Sequence, residues 1–385
     1  METSTISDKM SYIGHESMHG NFSNFTIAES QEGEPIPFEK IVAIVVPIIF
    51  GIIAVLGFAG NLLVMIVVIS NKQMRNTTNL LIINLAVADL LFIVICVPFT
   101  AAGYAMPRWP FGTAFCKIYQ YMINVTAYAS VYTLVLMSLD RYLAVVHPIC
   151  SMTIRTERNA YIVIILSWVV IMLINIPNLI DYTQLNYVFN GENRSACLNL
   201  KIVQDESNGR VVYGCFFAFS YVLPLTSVCI LYGFMLRRLL YGGVPGGNQS
   251  AESLRSKKRV TRMVVMVVVI FALCWLPINV ILMVKYFGTY PESIAFVGLQ
   301  IASNCIAYMN SCVNPLLYAF LSENFRKSFR KLLCCYNSFQ PVKLEYERTN
   351  ARGLEPMTKT TCTTPLKYTH NNHNNHSPED NENCV

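Results

Sequence analysis

Val135-Leu136-Met137-Ser138-Leu139-Asp140-Arg141-Tyr142 closes an apolar helical run that begins near Cys116 and ends on two full charges. A charged side chain at mid-bilayer is costly, so ionisable residues in a spanning helix face a bundle interior or lie near an interface. At about 1.5 Å per residue the run from Cys116 to Arg141 measures roughly 37 Å, slightly more than the ~30 Å hydrocarbon core. Cys116 and Arg141 therefore belong at opposite faces of one membrane helix.

Composition agrees. Of the 385 residues 54% are hydrophobic and 14% charged, and the mean hydropathy is +0.42, far too apolar for an ordinary soluble domain. Apolar runs at roughly 41–70, 78–103, 113–146, 157–180, 210–239, 260–287 and 294–320 read as seven spans. The expected fold is all-α: a seven-transmembrane helix bundle over 41–320, then a short amphipathic eighth helix over 321–335 at the inner membrane face. In that helix Phe325, Phe329 and Leu332/Leu333 recur at helical spacing against Arg326, Lys327, Arg330 and Lys331.

Basic residues cluster after the first span (Lys72, Arg75), the third (Arg155, Arg158), the fifth (Arg237, Arg238, Arg255 to Arg262) and the seventh, so those loops are expected to be cytoplasmic. Residues 1–40 form an acidic, polar, extracellular tail whose Asn21 and Asn24 head glycosylation sequons; Asn193-Arg-Ser195 is a third, in an outer loop. No apolar segment precedes residue 41, so the first span is expected to direct its own insertion. The +6 formal charge then concerns anionic lipid at the inner face and an acidic partner there, not nucleic acid.

Of thirteen cysteines, six within spans (Cys96, Cys215, Cys229, Cys274, Cys305 and Cys312) read as small apolar residues. Cys116 and Cys197 are the two placed in the oxidising exterior, so they are paired, tying the loop between spans four and five over the bundle mouth. Cys334 and Cys335 suit palmitoylation, with two unmodified thiols as the alternative. Residues 336–385 read as a disordered cytoplasmic tail with a Thr cluster (Thr358 to Thr364) able to accept phosphates.

Asp89 is a carboxylate in the middle of span two. With Ser130, Asn310 and Asn314, and with Asn61 and Ser311 nearby, it describes a hydrated pocket able to hold a sodium ion; a purely structural polar network would look similar. Pro224, Pro277 and Pro315 each remove a backbone hydrogen bond inside a span, giving either hinges or static bends. Trp275 stands two residues before Pro277, and Phe271 one turn below it. No catalytic motif is present, and no cofactor is implied beyond the ion: the chain does not read as an enzyme. A transporter or channel using Asp89 is the rival class, weakened because the two halves lack paired broken segments.

Asn61 in Gly60-Asn61-Leu62-Leu63-Val64, Leu85-Ala86-Val87-Ala88-Asp89, Cys116, Asp140-Arg141-Tyr142, Trp168, Pro224 with Tyr232, Cys274-Trp275-Leu276-Pro277 and Asn314-Pro315-Leu316-Leu317-Tyr318 resemble, in order, the signatures of rhodopsin-like (class A) G-protein-coupled receptors over about 40–335. Tyr104 to Trp109, Ala307 to Ser311 and Tyr318 to Lys327 resemble the galanin receptors, most closely the invertebrate allatostatin-A receptors. The resemblance implies a plasma-membrane receptor for a secreted amidated neuropeptide, a heterotrimeric G protein of the inhibitory Gi/o type, and a receptor kinase and arrestin at the phosphorylated tail. A galanin or kisspeptin type is the alternative within the class. It also implies a switch made of Asp140, Arg141, Tyr142, Tyr232, Thr261, Phe271, Trp275, Pro277, Asn314, Pro315 and Tyr318.

Where amine receptors carry an Asp, seven residues after Cys116, this chain has Ile123. Candidate ligand-lining residues are Tyr119, Gln120, Ile123 and Asn124 on span three, Ile278, Asn279, Leu282 and Lys285 on span six, and Gln300, Asn304 and Tyr308 on span seven. Asp181, near the outer loop, is a candidate for basic residues of the peptide. The set supplies amides, aromatics and apolar surface, which suits an uncharged amide-ended terminus; helix packing is the alternative for each residue singly. At the other end, the position that is acidic in many relatives is Lys257, leaving Asp140 as the near acid for Arg141 and Thr261 as a hydrogen-bond partner. A loosely held resting state is therefore expected.

Overall fold

The computed structural model describes residues 38–71, 74, 76–189, 192–241, 251–289, 291, 293–321 and 325–328. The described residues contain seven long helices: α1 Phe38–Ser70, α2 Thr77–Ala105, α3 Gly112–Val146, α4 Glu157–Asp181, α5 Ser207–Arg238, α6 Ala251–Phe287 and α7 Ile294–Leu321. The expected runs recur within a few residues, except that α6 begins nine residues earlier than 260. Local chemistry sets several starts. Asn76 Oδ1 accepts from Asn79 N at 3.0 Å and Thr156 Oγ1 from Asn159 N at 3.2 Å, each satisfying a backbone donor of the first turn. Gly112 opens α3 at φ +76°, a left-handed conformation that side chains with a Cβ resist.

α1 to α6 each contain a stretch long and apolar enough to cross a membrane. α7 is 28 residues long and more polar, because Gln300, Ser303, Asn304, Asn310, Ser311 and Asn314 interrupt it. Ser303, Asn310, Ser311 and Asn314 are buried, so these polar groups face the bundle. The apolar side chains of α1 divide the opposite way: Val46, Phe50 and Ile53 are buried, whereas Ile44, Ile48, Ile52 and Val55 are exposed. Such an outward apolar face suits lipid.

The core has two main layers. One gathers Val64, Leu81, Leu134, Met137, Val264, Phe271 and Tyr318 toward the Asp140 end. The other gathers Phe50, Phe92, Trp109, Tyr119 and Ile301 toward the opposite end, with Cys116 and Cys197. Pro277 and Pro315 lie inside continuous helices. Pro224 has a different setting, which Pro98 shares. Each follows by two residues a five-residue π-turn, Ala218–Val222 and Phe92–Cys96, an extra residue that reorganises the ladder around the missing proline N–H.

The loop between α4 and α5, expected to be tied over the bundle mouth, is a β-hairpin. β1 (Tyr182–Phe189) pairs antiparallel with β2 (Glu192–Asn199). The Cys116–Cys197 disulfide fastens β2 to α3. Trp109 N donates to Ser195 O at 2.9 Å and Ser195 N to Pro107 O at 3.3 Å, adding the α2–α3 loop to the hairpin edge. Arg194 Nη1 reaches Glu39 Oε1 of α1 at 2.5 Å. The hairpin is thus stitched to α1, α3 and the α2–α3 loop.

Asn21, Asn24, Lys257's side chain, Cys334, Cys335 and the Thr cluster lie outside the described residues. Of the expected eighth helix, the described residues hold one helical turn, 325–328, anchored by Phe325, whose ring stacks on Tyr318 with centroids 5.6 Å apart.

Where α1 crosses α2 and α7, a Cβ on Gly57 would stand 2.5 Å from Ile93 Cδ1 and 2.9 Å from Cys312 Sγ. Both neighbours are buried. Gly57→Ala should cost about 1–3 kcal/mol by overpacking, read as a lowered Tm of the detergent-solubilised protein; an unchanged Tm would mean that α1 is free to move aside.

Candidate functional site

Beneath the hairpin the helices enclose a cavity of about 220 Å³. Its wall includes Tyr119, Gln120 and Ile123 of α3, Ile278, Leu282 and Lys285 of α6, and Gln300, Asn304 and Tyr308 of α7. Nine of the expected lining residues therefore meet in one space. Asn124, Asn279 and Asp181 are not in that wall. Asn124 Nδ2 turns back to Gln120 O of its own helix at 3.0 Å. Asn279 is 1% exposed and gives Nδ2 to Trp275 O at 2.9 Å. Asp181 is occupied by Lys201 Nζ at 2.8 Å.

Sequence reasoning missed the α2 wall, Thr100 and Tyr104, and the lid residues Tyr182 and Leu198. Neither α2 residue breaks the apolar pattern around it. Burial holds the Tyr182 phenol well above its ordinary range, so it stays neutral. Among the described residues, no carboxylate lines the cavity. Size and lining suit a compact, uncharged, hydrogen-bonding group, since a cavity of this volume is below the usual ~300–1,000 Å³ of ligand pockets.

Midway along the bundle Asp89 is 0% exposed. Asn314 Nδ2 donates to its Oδ2 at 2.8 Å and Ser130 Oγ to its Oδ1 at 3.2 Å. Asn61 Nδ2 bridges Gly57 O at 2.9 Å and Ser311 O at 2.8 Å. Asn310 Oδ1 is buried with no hydrogen-bond partner among the described residues. One carboxylate, hydroxyls and an uncommitted amide oxygen are hard donors of the type a sodium ion takes, so the residues fit the ion. Asn84 serves another contact, taking Trp168 Nε1 at 2.9 Å and giving Nδ2 to Thr133 Oγ1 at 2.7 Å.

At the far end Asp140 is clamped from three elements. Arg155 Nε reaches its Oδ1 at 2.6 Å and Arg155 Nη2 its Oδ2 at 3.2 Å. Thr78 Oγ1 of α2 donates to Oδ2 at 2.8 Å, and Arg141 makes a close ion pair with the same oxygen. Arg141 also contacts Thr78 Oγ1. Thr261 makes no hydrogen bond to Arg141 among the described residues, which corrects the expected partner: Arg141 turns toward α2, drawn by the shared carboxylate. Tyr142 instead meets His147 Nε2 at 3.2 Å. Among the described residues Tyr232 OH, Trp275 Nε1 and Tyr318 OH are buried without a hydrogen-bond partner, and Phe271 packs on Trp275 with ring centroids 5.9 Å apart.

The family model described as 7 transmembrane receptor (rhodopsin family) matches residues 60–318, the interval that holds the cavity, the Asp89 centre and the Asp140 clamp. The chain belongs to that receptor family. This receptor is 57% identical over 300 residues to the allatostatin-A receptor of Bombyx mori, covering 77% of this chain and 81% of that one. It is 40% identical over 344 residues to the galanin-like G-protein coupled receptor npr-9 of Caenorhabditis elegans, covering 81% and 79%. Against galanin receptor type 2 of Rattus norvegicus the identity is 39% over 328 residues, covering 84% of each. Membership makes it a multi-pass plasma-membrane receptor and not an enzyme, and sets aside the transporter and channel readings.

The receptor's Asp140 clamp has a measurable consequence. A hydrogen-bonded charge pair is worth roughly 1.5–3 kcal/mol, so Arg155→Ala should weaken the resting state and raise ligand-free nucleotide exchange on a G protein several-fold, with Arg155→Lys intermediate. Unchanged exchange at equal surface expression would show that the clamp does not hold the resting state.

Proposed function

We propose that this receptor is activated by an amidated neuropeptide of the allatostatin-A type and acts through a heterotrimeric G protein of the inhibitory Gi/o class. The observation that carries the reading is the cavity's lining: aromatic rings, amides, hydroxyls and Lys285, with no carboxylate among the described residues. An ammonium-bearing ligand would have no counter-charge there, whereas a neutral carboxamide beside aromatic and aliphatic side chains finds both its needs. The likeness to the Bombyx mori allatostatin-A receptor supports the same choice.

In this reading the hairpin end faces outside and the peptide's amidated terminus enters beneath the lid. Binding favours a state in which α6 swings away from the Asp140 end and opens a cleft for the G protein. Asp89, Ser130, Asn310 and Asn314 would hold a sodium ion, which supplies positive charge that offsets the buried carboxylate. Asn193, exposed on β2, would carry a glycan, with Asn21 and Asn24. Cys334 and Cys335 would be palmitoylated beside membrane lipid, and the phosphorylated tail would recruit receptor kinase and arrestin.

Membranes bearing the receptor and a Gi/o heterotrimer should exchange nucleotide when given an amidated allatostatin-A peptide, and Arg141→Ala should abolish the response. Silence of the wild type toward such peptides, at normal surface level, would refute the ligand class. Gln120→Ala should raise the EC50 about tenfold, the loss of one hydrogen bond, without changing surface expression; an unaltered EC50 removes Gln120 from the site.

A further inference from the structure

Three hydroxyls from three helices meet in the cavity wall. Thr100 Oγ1 of α2 lies 3.0 Å from Cys96 O, 2.8 Å from the Tyr119 hydroxyl of α3 and 2.9 Å from the Tyr308 hydroxyl of α7. The protons can be assigned by counting. A carbonyl oxygen only accepts, so the single Thr100 proton goes to Cys96 O, one helical turn back. The Thr100 oxygen can then do nothing but accept, and its two lone pairs take one proton from each phenol. Tyr119 and Tyr308 have no proton left to offer. What both phenol oxygens retain is lone pairs.

We infer that the Tyr119 and Tyr308 oxygens form a subsite for the N–H of a terminal carboxamide, with Thr100 as the positioning residue that fixes their polarity. The inference rests on the amidated-peptide reading above and gives it an atomic basis. A carboxylate brings only lone pairs and would face two acceptors. An ammonium group would find no carboxylate among the described residues of the wall. A primary amide carries two N–H donors for the two phenol oxygens and no charge. The polarity is hard to reverse: turning either phenol outward to donate would strip a hydrogen bond from Thr100, which is 8% exposed, and unpaired buried polar groups are costly. Lys285, the cation in the same wall, stands two residues from the end of α6. It would favour an acid, so it works against the preference inferred here and cannot mimic it.

The test uses one allatostatin-A-type peptide with three C-termini: carboxamide, free acid and methyl ester. The ester matches the amide in charge and nearly in shape but has no N–H. The wild-type receptor should prefer amide to ester by about tenfold or more, in keeping with two lost hydrogen bonds. Thr100→Val, Tyr119→Phe and Tyr308→Phe should each shrink that ratio to roughly threefold or less. The ratio is the readout because a variant that merely loosens the bundle shifts both ligands alike. Equal potency of amide and ester on the wild type overturns the subsite while leaving the peptide reading intact, and so does an unchanged ratio in all three variants. Silence toward all three forms overturns the peptide reading itself.

Discussion

Asn61, Asp89, Ser130, Ser311 and Asn314 join α1, α2, α3 and α7 through groups that hydrocarbon would not solvate. Inside a bilayer there is no water to satisfy a misplaced amide or carboxylate, so each such side chain must find its partner on another helix. Apolar contact cannot select that arrangement, because lipid tails are as apolar as leucine. The polar contacts therefore choose which helices meet and at what rotation, and dispersion fills the space between them. Asn84, shared by Trp168 and Thr133, does the same for α4.

The bonds are unevenly spread. α1, α2, α3, α4 and the inner part of α7 are stitched by the Asp89 centre, the Asn84 contacts and the Asp140 clamp. Among the described residues of the helices, the buried side-chain polar atoms without a hydrogen-bond partner, Tyr232 OH, Trp275 Nε1, Asn279 Oδ1, Asn310 Oδ1 and Tyr318 OH, all belong to α5, α6 and α7. Displacing α6 therefore gives up few hydrogen bonds, whereas displacing α2 or α3 would break a carboxylate network. A ligand at the cavity has leverage on α6, which the carboxylate networks do not hold.

Much of this was legible from residue order. Seven apolar runs define seven helices because membrane helices must be long and apolar, and Cys116 and Cys197 were separable from the other cysteines by where the topology placed them. The hairpin was not foreseen, although Tyr187-Val188-Phe189 ahead of Asn190-Gly191 is a strand followed by a turn signal. Arg155 was read as a topology marker, because nothing in a single sequence says that the short helix Pro148–Ile154 returns it to Asp140. Asn124 and Asn279 stand outside the cavity wall for a related reason. Helical spacing orders residues around one axis, but the rotation of that axis against its neighbours is set by contacts from other helices. Thr100 was hidden because a hydroxyl within an apolar run ordinarily bonds its own helix, and one of its three hydrogen bonds does so.

The polarity of α7 bears on how the chain is made. Its asparagines and serines are harmless only once α1, α2 and α3 are present to receive them, so α7 alone is a poor candidate to leave the translocon for lipid. Its entry must be coupled to docking against helices already inserted. The side chains that shape the resting receptor would thus also act during biogenesis, and defects in the Asp89 centre would surface as failure to leave the endoplasmic reticulum before any defect in signalling could be measured.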